Sequence, residues 1–415
     1  MIIVLNILRV VSWVLIGLVG IYYLWIFFND IVGLFIEKKK YPSAEAKKAA
    51  VIICARNEES VIGSTIDSLN KQNYPKDLMQ VFVVAHNCTD KTEEVAREKG
   101  ATVLVRNAPE DKTKGDALKF AVRTILDDYP GVFDFFSVLD ADNVAAPDFL
   151  MEMNNALASG ADAAQGFYNS KNYYETWVTE LSSALWLQTM RCQSMPNSHL
   201  GLPVVMLGSG FSFKVSALDE EGWHTETITE DLEFTIQQVL KGNKLVAAPC
   251  AVFYSEQVTT LKPAFIQRKR WAIGNTECFR RYIGRIIKAI PERGINAFKI
   301  ALDTLLYPIL FCTAVNMVVQ MAIIALTGGT FVQTVQFLAI AAAGSWLMVL
   351  PLTLIFLFKE KKNLLDNMCT VVMFPACLFL SLVLSCVSVF KRTTDWTPTV
   401  RSSSIKQEEM ENKNE

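Results

Sequence analysis

Two aspartates one residue apart, Asp140 and Asp142, follow the apolar run Phe135 to Leu139. Carboxylates at that spacing are hard oxygen ligands for Mg²⁺ or Mn²⁺, and a metal so held can grip a diphosphate. The bland alternative is a pair of solvated acids ahead of a helix that Pro147 starts. Glu230 and Asp231 open a helical stretch, Leu232 to Leu240, with Thr229 where an N-cap would stand. Acids favour that first turn because they complement the helix dipole. A carboxylate there can also serve as a general base when an acceptor hydroxyl comes within about 3 Å. Gln267, Arg270 and Trp271 fall at i, i+3 and i+4, so they share a helix face. A guanidinium suits a phosphate by paired hydrogen bonds. An indole suits the C–H face of a sugar ring. The alternative is that Arg268, Lys269 and Arg270 form a basic surface beside a membrane.

Three further signals are weaker. Asp90 with Glu93 three residues on has capping-box spacing. Lys114 and Gly115 begin a helix and could hold a phosphate through a charge and a helix N-terminus, or merely start the helix. Gly208-Ser209-Gly210 permits close backbone approach. No GxxxxGK[ST] phosphate loop and no Ser-His-Asp or Cys-His arrangement is evident.

The elements that must carry these residues alternate between strand and helix. A strand over Ala50 to Cys54 leads to a helix from Glu59, and a strand over Val81 to Ala85 to a helix near Asp90. Thr102 to Val105 then leads to the helix Gly115 to Leu126, and Phe135 to Leu139 ends in the aspartate pair. Such alternation means an α/β domain with a mostly parallel sheet, spanning about Tyr41 to Tyr282. Ligands bind such sheets beyond the carboxyl ends of the strands, where these clusters fall.

Outside that domain the chain turns apolar. Val10 to Asn29 carries no charge, and twenty residues at about 1.5 Å each match the hydrocarbon thickness of a bilayer. Lys38, Lys39 and Lys40 follow, which places the middle of the chain in the cytoplasm. Ala301 to Gly328, Thr330 to Phe358 and Asn367 to Phe390 are long enough to span, with Asp303 their only charge. Pro375 could instead break the last into a re-entrant hairpin. Phe279 to Ile290 sets Ile283, Ile286, Ile287 and Ile290 against a basic side, as an interfacial amphipathic helix would. The expected layout is a membrane helix over 1–36, a cytosolic domain over 41–278, the interfacial helix over 279–298, a membrane region over 301–390 and a polar tail over 391–415. Such a chain is an integral, multi-pass protein of the cell membrane with its catalytic domain in the cytoplasm.

Composition excludes other classes. The chain has 415 residues, 51% of them apolar, and a net charge of −2, so no basic footprint for nucleic acid exists. Nine cysteines show no CxxC pair, and three histidines are too scattered for a zinc site. They read as free thiols in a reducing compartment.

Taken in order, Val51-Ile-Ile-Cys-Ala-Arg-Asn-Glu-Glu59, Asn87-Cys-Thr-Asp90, Asp140-Ala-Asp142, Thr229-Glu-Asp231 and Gln267-Arg-Lys-Arg-Trp271 resemble the processive, membrane-embedded family-2 glycosyltransferases: cellulose, chitin and hyaluronan synthases. The resemblance implies a GT-A-like nucleotide-sugar domain flanked by transmembrane helices. It implies that Asp142, with Asp140, binds Mg²⁺ or Mn²⁺ and the diphosphate, and that Asp231, beside Glu230, is the base. Gln267, Arg270 and Trp271 would hold the diphosphate and the acceptor end. Arg56, Asn57 and Glu58 would line the nucleotide pocket, and Lys114 would approach its phosphates. Gly208 and Ser209 would lie against the acceptor. Relatives carry aspartate just before the position of Asn87, where this chain has Ala85 and His86; His86 or Asp90 would then contact the uracil. Trp396 to Arg401 looks like the WxxTxR ending of some relatives.

The implied activity is inverting transfer from a UDP-sugar, glucose first and N-acetylglucosamine second, to a growing β-linked polysaccharide at the bilayer. Partner subunits or self-association stay open. A non-processive transferase making a glycolipid is the second reading, and a non-catalytic membrane sugar-binding or transport protein the third.

Overall fold

The computed structural model describes residues 1–391 apart from 361 and 364, with the side chains at 345, 348 and 375–379 also left aside. The WxxTxR-like tail lies outside the described residues.

In chain order the elements are α1 (Ile2–Phe35), β1 (Ala49–Ala55), α2 (Ile62–Asn70), β2 (Met79–His86), α3 (Thr92–Glu98), β3 (Thr102–Arg106), α4 (Lys114–Asp128) and β4 (Phe135–Asp140). Then come β5 (Val144–Ala145), α5 (Phe149–Ala158), β6 (Ala163–Ser170), α6 (Trp177–Thr189), a π-helical turn (Met190–Ser194), α7 (Met195–His199), β7 (Phe211–Lys214), α8 (Glu230–Lys241) and β8 (Leu245–Ser255). The chain ends in α9 (Leu261–Arg293), α10 (Ile295–Thr304), α11 (Leu306–Leu326), α12 (Phe331–Lys359) and α13 (Met368–Phe390).

One eight-stranded sheet runs β3-β2-β1-β4-β7-β6-β8-β5. β3, β2, β1 and β4 are mutually parallel, which brings the carboxyl ends of β1, β2 and β4 to one rim. β7 is antiparallel to both neighbours and β5 to β8, so the far half is mixed. The parallel strands are buried on both faces, which is why they read as continuous apolar runs. Alternate residues serve opposite cores: Val51, Ile53 and Val83 pack with Ile66 of α2 and Phe149 of α5. Ile52, Val84 and Val138 pack with Leu118 of α4 and Phe234 of α8.

Several local expectations change in three dimensions. Asp90 and Glu93 form no capping box: Asp90 Oδ1 accepts from Thr92 N at 3.0 Å, and Glu93 pairs with Arg97 at 2.9 Å. Thr229 occupies the N-cap of α8, yet its hydroxyl lies 3.4 Å from Cys278 Sγ and caps nothing. The stretch expected to lie in the bilayer interface is the second half of α9, continuous with Gln267–Trp271. Its Ile286 is fully buried in the second core, with Ile283 and Ile290 packed against that core, so this face serves the domain instead of lipid. Only Ile287 of the four is exposed. The break considered at position 375 is absent: α13 runs unbroken, its backbone satisfied internally.

Among the described residues three helices are long and apolar enough to cross a membrane: α1, α11 and α12. α1 and α11 are joined by hydrogen bonds that only buried partners make worthwhile in hydrocarbon: Ser12 Oγ donates to Asn316 Oδ1 at 2.8 Å, and Gln320 Nε2 to Ser12 Oγ at 2.6 Å.

Candidate active site

A cavity of about 580 Å³ opens beyond the carboxyl ends of β1, β2 and β4. One wall holds Arg56, Glu58, His86, Lys114, Asp140 and Asp142. Gly208, Glu230, Asp231, Gln267, Arg270 and Trp271 line the same space. Asn57, Asp90 and Ser209 do not.

Those three brace the site from behind. Asn57 sits at φ 59°, and its Oδ1 accepts from Thr89 N at 2.8 Å. Asp90 Oδ2 accepts from Glu59 N at 3.1 Å, which ties the loop after β1 to the start of α3. Burial acts to raise the Asp90 carboxyl, but the hydrogen bonds from Thr92 and Glu59 outweigh it and hold the group below its usual range. Ser209 accepts from Asp140 N at 2.9 Å and donates to Asn143 Oδ1. Asn143 Nδ2 reaches Asp142 Oδ1 at 3.1 Å. The aspartate pair is thus fixed by two side chains to which the sequence assigned no such role. Asn143 could have been noticed as the residue directly after the pair.

A capping box between Thr113 and Asp116 starts α4 and sets Lys114 in its first turn. Lys114 Nζ donates to Asp140 Oδ1 and to the Gly208 carbonyl, the latter at 2.6 Å. Burial alone would lower the Lys114 pKa, but the carboxylates of Asp140 and Glu230 outweigh it and hold the ammonium above its ordinary range. Lys114 is therefore a permanent cation between the two carboxylate pairs.

Glu230 and Asp231 are pushed upward, first by burial. The charge of Asp231 raises Glu230 further; the backbone N–H of Leu232, 2.8 Å from Asp231 Oδ1, pulls Asp231 back. Of the two, Asp231 is the better carboxylate to stay ionised. Its Oδ2 lies 3.2 Å from where a Cβ on Gly208 would sit, so that glycine, at φ +76°, keeps the approach open. Glu233, which sequence reasoning passed over, locks the preceding loop: its Oε2 accepts from Glu226 N and Thr227 N at 2.8 and 2.6 Å. Its Oε1 accepts from Tyr282 Oη on α9 at 2.7 Å.

Trp271 meets Trp186 edge-on at 5.4 Å between centroids, and Trp186 stacks on Tyr168 at 4.3 Å. These rings come from β6, α6 and α9, so no short-range spacing could have announced them. Cys54 also lines the cavity, but burial pushes its thiol up to about 12, which removes it as a nucleophile. His86 is buried at the end of β2, its Nε2 without a hydrogen-bond partner among the described residues. Burial first, then neighbouring Arg56, lowers its pKa, so the imidazole is neutral at pH 7.

The donor set suits a divalent cation only in part. Among the described residues no three His, Cys, Asp or Glu side chains cluster as metal ligands. Asp140 and Asp142 supply two hard carboxylates, and substrate oxygens would have to supply others, the usual arrangement for Mg²⁺ on a nucleotide.

The cavity does not stop at the sheet. It continues past Trp271 to Tyr22, Tyr23 and Ile26 of α1 and to Leu306, Tyr307 and Leu310 of α11. The polar rim and the apolar helices therefore share one continuous space.

Curated proteins resemble this chain chiefly through the α/β domain. A β-monoglucosyldiacylglycerol synthase from Nostoc sp. is 28% identical over 251 residues, 58% of this chain and 51% of that protein. A probable glucomannan 4-β-mannosyltransferase from Arabidopsis thaliana is 24% identical over 263 residues, 60% of this chain and 48% of that protein. The chain thus spans about half the length of these curated relatives. Among solved structures, the mannosyltransferase PcManGT from Pyrobaculum calidifontis, in complex with GDP-Man and Mn²⁺, matches with a TM-score of 0.61 and 18% identity, over 91% of this chain and 99% of that one. That likeness bears out the GT-A-like α/β fold. The family described as "Glycosyltransferase like family 2" matches residues 46–274, more than half of the chain. With the fold, the aspartate pair and the Glu230–Asp231 dyad in one cavity, the chain belongs to the family-2-like glycosyltransferases.

Proposed function

We propose that this enzyme transfers a single hexose, glucose first, from a UDP-sugar to a hydroxyl of a membrane lipid, with inversion. The carrying observation is the cavity itself, which joins the carboxylate rim to the apolar helices α1 and α11. An acceptor reaching Asp231 along that path comes from the bilayer.

Asp231 takes the proton of the acceptor hydroxyl, and the oxygen attacks the anomeric carbon opposite the diphosphate. The bond to UDP breaks with its electron pair on the phosphate oxygen, so configuration inverts in one displacement. Lys114 and Arg270 meet the charge that grows on the leaving diphosphate. Asp140 and Asp142 would hold Mg²⁺ or Mn²⁺, which supplies Lewis-acid neutralisation of the same diphosphate. Burial, then the charge of Asp231, pushes Glu230 up to about 7, so this carboxyl readily holds a proton beside the base. One base suffices because the diphosphate leaves unprotonated; a glycosidase needs two carboxyls flanking the bond. A non-catalytic sugar-binding role leaves this buried dyad without a purpose.

A polysaccharide product is the second reading. It is favoured by Gln267, Arg270 and Trp271 facing the cavity beside the stacked Trp186 and Tyr168, an aromatic platform that suits a sugar chain. Product size separates the two. Purified protein in lipid nanodiscs is given UDP-[¹⁴C]glucose, and the label is extracted into chloroform–methanol and sized. Label in a one-sugar lipid supports the proposal; label in insoluble high-mass polymer overturns it in favour of the second reading.

A further inference from the structure

The far arm of the cavity carries polar groups that the transfer chemistry leaves unused. Asn275 stands one turn beyond Trp271 on the same face of α9, and Asn197 projects from α7 just after the π-helical turn. Both line the cavity, at 8% and 2% exposure. The Asn275 amide nitrogen donates to the Asp303 carbonyl at 3.3 Å, which fixes its orientation. The side-chain oxygens of both asparagines are buried and accept no hydrogen bond among the described residues. A buried acceptor left in this state is costly, so such atoms mark places where a ligand donor is expected. The nearby charges cancel. Lys299 Nζ is 2.6 Å from Asp303 Oδ2, and both groups line the same arm. An anionic headgroup would find Lys299 already neutralised, whereas hydroxyls would find two waiting acceptors. A π-helical turn beside this wall is the sort of local irregularity that often shapes binding sites.

We propose that Asn197 and Asn275 form an acceptor-headgroup subsite that selects an uncharged, hydroxyl-rich headgroup of a membrane amphiphile over a lipid phosphate. The inference rests on the lipid-acceptor reading above and adds to it the class of headgroup and the residues that choose it.

The test uses the full chain in phosphatidylcholine nanodiscs with UDP-[¹⁴C]glucose and four acceptors: dioleoylglycerol, glucosyl-dioleoylglycerol, a polyprenyl phosphate and soluble cellobiose. Wild-type protein is expected to prefer glucosyl-dioleoylglycerol. Asn197→Leu and Asn275→Leu, which keep the branching of asparagine without its polar atoms, are each expected to raise the KM for that acceptor about three- to tenfold, the worth of one neutral hydrogen bond. They are also expected to lower its preference over dioleoylglycerol, with the donor KM and the slow release of UDP to water unchanged. A purely structural role would depress all acceptors alike. Unchanged selectivity in both variants overturns the subsite while leaving transfer of a single sugar to a lipid intact. A wild-type preference for the polyprenyl phosphate or for cellobiose overturns the headgroup assignment. High-mass polymer from wild type overturns the parent reading, and this one with it.

Discussion

Gly274 on α9 touches Thr229, the N-cap of the helix that carries the proposed base, and the contact is close enough to yield a quantitative expectation. A Cβ at this position would lie 2.4 Å from Thr229 Cγ2 and 2.7 Å from Thr229 Oγ1. Carbon atoms in contact sit about 3.5–4.0 Å apart, so Gly274→Ala must push Thr229 or α9 by about 1 Å. Thr229 directly precedes Glu230 and Asp231, and a displacement of about 1 Å at a reacting group can cost about 10²-fold in rate. The nucleotide side, held by β1, β2 and α4, does not share that contact. Gly274→Ala is therefore expected to lower kcat by about 10²-fold and to leave UDP affinity within about twofold. Gly284 lies on the same helix with nothing within 4 Å of a Cβ. Gly284→Ala is expected to keep full activity and to gain up to about 1 kcal/mol of stability from helix propensity. Transfer kinetics, UDP titration and thermal melting of both variants in detergent form the assay. A folded Gly274→Ala protein with wild-type kcat would refute the coupling of α9 to the base.

Glu230 and Asp231 have pKa values raised by burial, so each contributes stability that is present below the unfolded carboxyl pKa and is lost as pH rises through the folded one. Glu230→Gln is accordingly expected to gain melting temperature relative to wild type at pH 8 and to show less gain at pH 5; equal shifts at both pH values would contradict the assigned burial. His86, neutral at pH 7 and lining the cavity, is expected to hold the uracil: His86→Leu raises the KM for UDP-glucose about tenfold with kcat unchanged. The donor KM of wild type stays flat above pH 6.5 and changes only below it, and a change confined to alkaline pH would remove His86 from this role. Chelation by EDTA is expected to abolish transfer, with recovery on adding Mn²⁺ to wild type but not to Asp142→Asn. Full activity in EDTA would end the metal assignment.

The half of the sheet that carries the site was legible because its strands are buried on both faces and so appear as uninterrupted apolar runs. The motifs at their carboxyl ends followed from that placement: Asp140 and Asp142 after β4, His86 at the end of β2, Arg56 after β1. The mixed half was not legible, since β7 reverses direction through a loop whose only signal is Gly208-Ser209-Gly210. Local patterns misled where tertiary partners won. The Asp90–Glu93 spacing suits a capping box, but Glu59 and Thr92 claim Asp90. The isoleucine stripe over 283–290 suits a bilayer, but Ile286 is buried in the core that α8 and α10 also line. Nothing in the sequence links Trp186, Asn197 and Asn275 to the candidate catalytic clusters, because the fold alone brings them to one cavity. The ends of the long apolar helices α1, α12 and α13 lie within a few residues of those read from length and charge, whereas the continuity of α13 through position 375 carried no sequence pattern.

The central claim is that one carboxylate, Asp231, performs the chemistry in a cavity whose other walls bind the donor. Its most direct measurement is UDP binding and sugar transfer in Asp231→Asn, side by side with wild type. The account requires UDP affinity within about twofold of wild type and a fall in transfer of at least about 10²-fold, the usual worth of a general base. Transfer at the wild-type rate, or loss of UDP binding together with activity, would contradict it.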